Sequence, residues 1–182
     1  MAWTLFGWLT KNSRGRPALP EVICNTSLLQ YLHQVGLLHI LPSLARPVII
    51  PASVVDELAA GRALGLDLPD PAGLEWITVQ TPHSAPVLPM VTDLGPGETQ
   101  VIALAIERQG AVAVLDDAIA RQVAQNLGIR FTGTLGLLLD AKRTGAIRAI
   151  TPVLDQLQSL RFRVSPRTRE AVRRMAGESQ ES

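Results

Sequence analysis

Residues 21–34 read EVICNTSLLQYLHQ: three consecutive apolar residues at Val22-Ile23-Cys24, the polar run Asn25-Thr26-Ser27, then apolar residues at helical spacing. A strand apolar at successive positions is buried on both faces, and a helix directly after it makes a crossover, which is the pattern of a parallel sheet covered by helices. The same switch recurs along the chain. Val48 to Ile50, Trp76 to Val79, Val112 to Leu115 and Ile129 to Phe131 are further predicted strands. Helices are predicted at Ser27 to Gln34, Leu37 to Leu44, Ala52 to Ala60, Glu98 to Arg108, Ala118 to Leu127, Leu135 to Thr144, Thr151 to Leu160 and Pro166 to Met175. Pro51 suits a first helical turn, and Gly110, Gly128 and Gly145 fall where helices stop. The expected fold class is α/β, a three-layer α/β/α arrangement around a central parallel sheet of about five strands.

The length of 182 residues suits one domain with a substantial core. With 47% apolar and 18% charged residues, the chain reads as a packed globular body and not as an intrinsically disordered one. Cys24 is the single cysteine, which excludes an internal disulfide or a zinc site of several thiolates and fits a reducing, cytoplasmic setting. No run reaches the roughly 18 apolar residues of a spanning helix, so a membrane protein is excluded. Met1 to Leu9 contains Trp3, Phe6 and Trp8 with no basic residue ahead of them, unlike a secretory signal, and reads as an extension covering an apolar surface. Residues 1–20 are expected to be extension and linker, 21–176 the domain, and 177–182 a flexible tail. Pro69 to Pro96 is rich in proline and is expected to hold a substrate-facing loop or partner contact.

The net charge of +1 hides an uneven distribution. Between Val48 and Asp117 ten acids face only Arg62 and Arg108, whereas between Ala118 and Ala176 eleven Lys and Arg face Asp140, Asp155 and Glu170. Such a partition suits a site that gathers cations beside a surface that attracts polyanions, and solvated helix faces account for part of it.

Ligands of open α/β sheets bind outside the carboxyl ends of the strands. Asn25, Thr26 and Ser27 follow the first strand, and Asp116 and Asp117 follow the fourth. Glu57 lies in the helix after the second strand, and Glu98 opens a helix behind Leu94-Gly95-Pro96-Gly97. Oxygen donors without His or Cys suit hard cations such as Mg²⁺ or Mn²⁺, and such an ion beside a phosphodiester does nuclease chemistry. Each residue also has a structural reading: Asn25, Ser27, Asp116 or Asp117 as helix caps, Glu98 as a first-turn acid, Glu57 as a solvated side chain. The turn at Gly95 to Glu98 is also able to cradle an anion on free N–H groups, though it lacks the ending of a phosphate-binding P-loop. His33, His39 and His83 lack metal-ligand spacing, and Cys24 sits in an apolar strand where thiols are inert.

In order and spacing these residues resemble the PIN-domain superfamily, specifically the uncharacterised PIN-like branch related to VapC-type toxins. The resemblance runs from about Glu21 to Gly177 and rests on Ile23-Cys24-Asn25-Thr26-Ser27, the segment Ile50 to Leu58, Leu94 to Glu98, Val114-Leu115-Asp116-Asp117 and Thr132-Gly133-Thr134-Leu135-Gly136. It implies a five-stranded parallel sheet and a Mg²⁺- or Mn²⁺-dependent endoribonuclease, the toxin of a toxin–antitoxin pair, with an antitoxin protein as partner and a homodimer as assembly. Carried over by position, Glu57, Glu98, Asp116 and Asp117 match the acidic positions, and Thr134 or Thr132 the polar residue near them. Asn25, Glu98, Asp116 and Asp117 are the implied metal ligands. The family usually carries Asp where this chain has Asn25, and a neutral amide holds a cation more weakly, so the alternative reading is a degenerate module that binds RNA or protein without cutting it. Arg121, Lys142, Arg143, Arg148 and the four Arg of the last helix are expected contacts to a phosphate backbone.

Overall fold

The computed structural model describes residues 10–11, 17–83 and 94–178. The Trp-containing extension expected at Met1 to Leu9 and the proline-rich stretch at 84–93 lie outside the described residues. Thr10–Lys11 (β1) and Pro17–Ala18 (β2) pair antiparallel as a two-stranded ribbon inside the stretch read as a linker.

The main sheet consists of β3 (Val22–Cys24), β4 (Val48–Pro51), β5 (Ile77–Gln80), β6 (Val112–Val114) and β7 (Phe131–Thr132). All its pairs are parallel and its spatial order is β5-β4-β3-β6-β7, with Val22 opposite both Val48 and Val112. Around it stand α1 (Thr26–Gln34), α2 (Leu41–Leu44), α3 (Ala52–Ala63), α4 (Pro96–Glu107), α5 (Ala118–Asn126), α6 (Thr134–Arg143), α7 (Thr151–Ser159) and α8 (Pro166–Met175). No helix among the described residues is long and apolar enough to cross a membrane.

The three layers follow from the two-residue period of strand side chains. Val22, Cys24, Val48, Ile50, Val112 and Val114 join a core with Leu28, Leu29 and Leu32 of α1, Leu137 and Leu138 of α6, and Leu154 and Leu157 of α7. The alternate residues Ile23, Ile49 and Ala113 join a second core with Val101, Ile102 and Leu104 of α4 and Ala120 and Ala124 of α5. Each fully buried Val, Leu or Ile contributes about 1.5–3 kcal/mol, so neither face is left to solvent.

Two predicted elements differ in form. The helix expected over Leu37 to Leu44 divides into a 3₁₀ turn at Leu38–Ile40 and the short α2, because Pro42 has no N–H to continue a helix and sits instead in the first turn of a new one. The last strand pairs at Phe131 and Thr132 and not from Ile129, since the β6 partners are Ala113 and Val114.

Glu178, expected within a flexible tail, is tied into the body. Its carboxylate accepts from Ile150 N at 2.7 Å and Thr151 N at 2.9 Å, capping α7, and lies 3.4 Å from the Lys142 ammonium. Burial alone pushes this carboxyl up, but bonds from the Thr151 side chain, the two amides and Lys142 outweigh it and hold the pKa at about 2 against 4.5. A depressed carboxyl pKa adds stability that is complete above the unfolded value and disappears as the folded one is crossed. Urea unfolding of Glu178→Gln is therefore expected to show a loss of about 2 kcal/mol at neutral pH. That deficit is expected to vanish between pH 4.5 and about 2.

Candidate functional site

The central strand β3 has β4 on one side and β6 on the other, so the chain reverses its direction of growth along the sheet here. The loops leaving these strands splay apart, and the helices that follow begin at the same edge. Four helix N-termini, those of α1, α4, α5 and α6, each carry unsatisfied N–H groups and about half a positive charge. The oxygen-bearing residues singled out in the sequence meet them.

Asn25, 1% exposed, caps α1 by accepting from Leu28 N at 3.1 Å. Asp117 caps α5 by accepting from Ile119 N at 2.8 Å and Ala120 N at 2.9 Å. These two structural readings hold. Glu57 and Asp116 also cap helices, but not their own. Glu57 Oε1 accepts from Gly97 N of α4 at 3.0 Å, and its other oxygen accepts from the Thr26 hydroxyl. Asp116 Oδ1 accepts from Thr134 N of α6 at 2.9 Å, and its Oδ2 from the Thr134 hydroxyl. Thr134 is thus fully buried against Asp116, whereas the neighbouring Thr132 hydroxyl lies 3.5 Å from the Gly133 carbonyl. Arg121 donates to the Leu115 carbonyl at 2.8 Å and reaches Asp116 Oδ1 at 3.4 Å.

Two glycines are required by these approaches. A Cβ at Gly97 would stand 2.9 and 3.0 Å from the Glu57 oxygens, and one at Gly133 would stand 2.9 Å from Asp116 Oδ1. Helix propensity alone favours Ala over Gly by about 1 kcal/mol inside α4, while forcing the Glu57 carboxylate aside costs about 1–3 kcal/mol. The steric cost wins, so Gly97→Ala is expected to lower the urea midpoint; a rise would mean that Glu57 does not occupy this position.

Glu98 differs from the other acids. It is half-buried in the first turn of α4, folds back to within 2.8 Å of where a Gly95 Cβ would be, and has no polar partner among the described residues. Among the described acids Glu57, Glu98, Asp116 and Asp117, it is the one that gives neither oxygen to the fold. The anion cradle considered for Gly95 to Glu98 is closed, because the Gly97 N–H already holds Glu57.

The charge balance at the edge is close. Four carboxylates are offset about half by four helix ends and further by Arg121, leaving a net charge of about −1. The donors are carboxylate, amide and hydroxyl oxygens, which match a hard divalent cation. Among the described residues no three acids form a ready-made group for a metal. Mg²⁺ does not need one, since it commonly binds one or two carboxylates together with waters and substrate phosphates. In that sense the oxygen donors at this edge are chemically compatible with such an ion.

The histidines and the cysteine set aside in the sequence, and several of the basic residues expected to take part, are engaged elsewhere. Burial pushes the Cys24 thiol up to about 12, which removes it as a nucleophile. His33 pairs with Asp67 at 3.0 Å and His83 with Glu107 at 3.2 Å. Several basic residues expected to contact phosphate serve the fold: Lys142 bonds the Arg148 carbonyl and Glu178, Arg143 lies 3.8 Å from Asp140, and Arg169 holds Asp155. The sequence reading missed the tether from Arg121 to the strand end, whose signal is an Arg one helical turn after the acids.

No curated protein matches the chain. A family model described as a PIN domain matches residues 21–178, from the residue before β3 to the Glu178 cap. The chain belongs to the PIN domain family.

Proposed function

We propose that the protein is a divalent-metal-dependent endoribonuclease acting at the carboxyl edge of its sheet, the toxin of a toxin–antitoxin pair. PIN domains are a nuclease-type fold family whose members generally use divalent metals. The observation that carries the reading is the carboxylate of Glu98, without a polar partner among the described residues, beside Glu57, Asp116 and Asp117, each of which caps a helix.

A bound Mg²⁺ or Mn²⁺ would lower the pKa of a water and offset charge developing on the scissile phosphate. Glu98 supplies an uncommitted charged donor. Asp116 is oriented by Thr134 and by Arg121, so its carboxylate is fixed before any ligand arrives. Glu57 anchors α4 and thereby Glu98, and Asp117 anchors α5. Asn25 offers at most a neutral amide oxygen already accepting from α1. An antitoxin covering this acidic edge, a homodimeric assembly and a cytoplasmic setting complete the proposal.

Calorimetric titration of Mn²⁺ beside a single-stranded RNA cleavage assay tests it. Saturable binding with cleavage supports it; neither in the wild type sinks it. A second reading is favoured by the buried, neutral Asn25: a PIN-fold module that engages RNA or protein without cutting. It predicts RNA binding without Mn²⁺ heat.

A further inference from the structure

Beside the acidic edge runs an open groove of about 700 Å³ between α5, β7, the start of α6 and α8. Arg121, Gln122, Gln125, Phe131, Thr168 and Val172 are among its walls. We propose that this groove binds single-stranded RNA, holding nucleotides adjacent to the phosphodiester presented to Asp116 and Glu98. The inference rests on the nuclease reading for its orientation but not for the contact itself.

Arg121 joins the two places. Its Nε and one terminal nitrogen are tethered to Leu115 and Asp116, while its side chain remains 43% exposed toward the groove. The remaining guanidinium donors are pre-aimed at an anion and lose little side-chain entropy on binding it. Half-buried Arg130, on the groove wall next to Phe131 and at the far end of α5 from Arg121, adds a second cation. Between them the wall changes character: the amides of Gln122 and Gln125 donate and accept, and half-buried Phe131 gives an apolar face. Phosphate contacts at the ends, with amides and an aromatic between, match unstacked bases on a single strand. A volume of this size falls within the ~300–1,000 Å³ of small-ligand sites, which is room for nucleotides.

The test is fluorescence anisotropy of a short labelled single-stranded RNA with full-length protein in EDTA, so that no cleavage occurs. Gln125→Glu places a charge on an exposed groove residue that holds no part of the acidic edge, and is expected to weaken binding about tenfold. Gln109→Glu, the same charge change at an exposed site outside the groove, is expected to change it less than about twofold. Arg130→Gln, at a basic residue of the groove wall, is expected to weaken binding and to lower the slope of log affinity against log salt by about one. Equal effects of the two Gln→Glu changes would overturn the proposal, as would a glutamate oligomer of matching charge binding as tightly as RNA. Groove-dependent binding from a protein that never cleaves RNA with Mn²⁺ would support the groove while refuting the nuclease reading.

Discussion

Glu98→Gln is expected to lower Mn²⁺-dependent RNA cleavage by about 100-fold or more and to remove most of the Mn²⁺ binding heat, with little change in the urea midpoint. The asymmetry follows from the bonding. Gln keeps the shape of Glu but neither its charge nor two equivalent acceptors, and losing one charged group from a site that stabilises developing charge costs about 10²–10³ in rate. Glu98 has no polar partner within the described fold, so the same change leaves the body intact. Asp116→Asn makes a useful contrast: Thr134 donates to both Asp116 oxygens, so this replacement should lose both cleavage and stability. Undiminished cleavage by Glu98→Gln would remove Glu98 from the proposed chemistry.

The second large effect is a gain. Asn25→Asp is expected to tighten Mn²⁺ binding and raise cleavage by about tenfold or more. Asp caps a helix as well as Asn does, so the bond to Leu28 N survives. The residual charge at the edge goes from about −1 to about −2, which raises the attraction for a divalent ion substantially where water is scarce. The added charge is nearly fully buried, and without a cation it costs about 1–3 kcal/mol. Metal-free Asn25→Asp should therefore melt below the wild type and recover in Mn²⁺, because a ligand at about a hundred times its Kd returns about 2.7 kcal/mol. An unchanged Mn²⁺ affinity in this variant would show that position 25 does not face the cation.

The layers were legible in the sequence because β3, β4 and β6 are apolar at every position, and only a sheet covered on both faces permits that. The edge that gathers the acids was legible for a related reason: they follow strand ends in a parallel sheet. Their partners were not. Nothing in local spacing says that Glu57 caps a helix 40 residues away, or that Asp116 caps α6 and not α5, where its neighbour Asp117 serves. Such pairings depend on which N-terminus the closed sheet brings near, a tertiary fact. The clasp at Glu178 was hidden likewise, since Gly177-Glu178-Ser179 has the composition of a frayed end while its carboxylate reaches Ile150 and Thr151.

Caps made between distant segments also order events in time. The bonds at the acidic edge span 18, 31 and 40 residues, so each closes a long loop and none repays that entropy until the strands beneath it have paired. In a nascent or partly unfolded chain α1 and α5 have their caps within their own local sequence, whereas Glu57 and Asp116 have no helix end to bind until the sheet closes. If these acids act on RNA, cleavage is withheld until the last tertiary contacts close, and a cell synthesising the chain meets its activity only as a finished molecule.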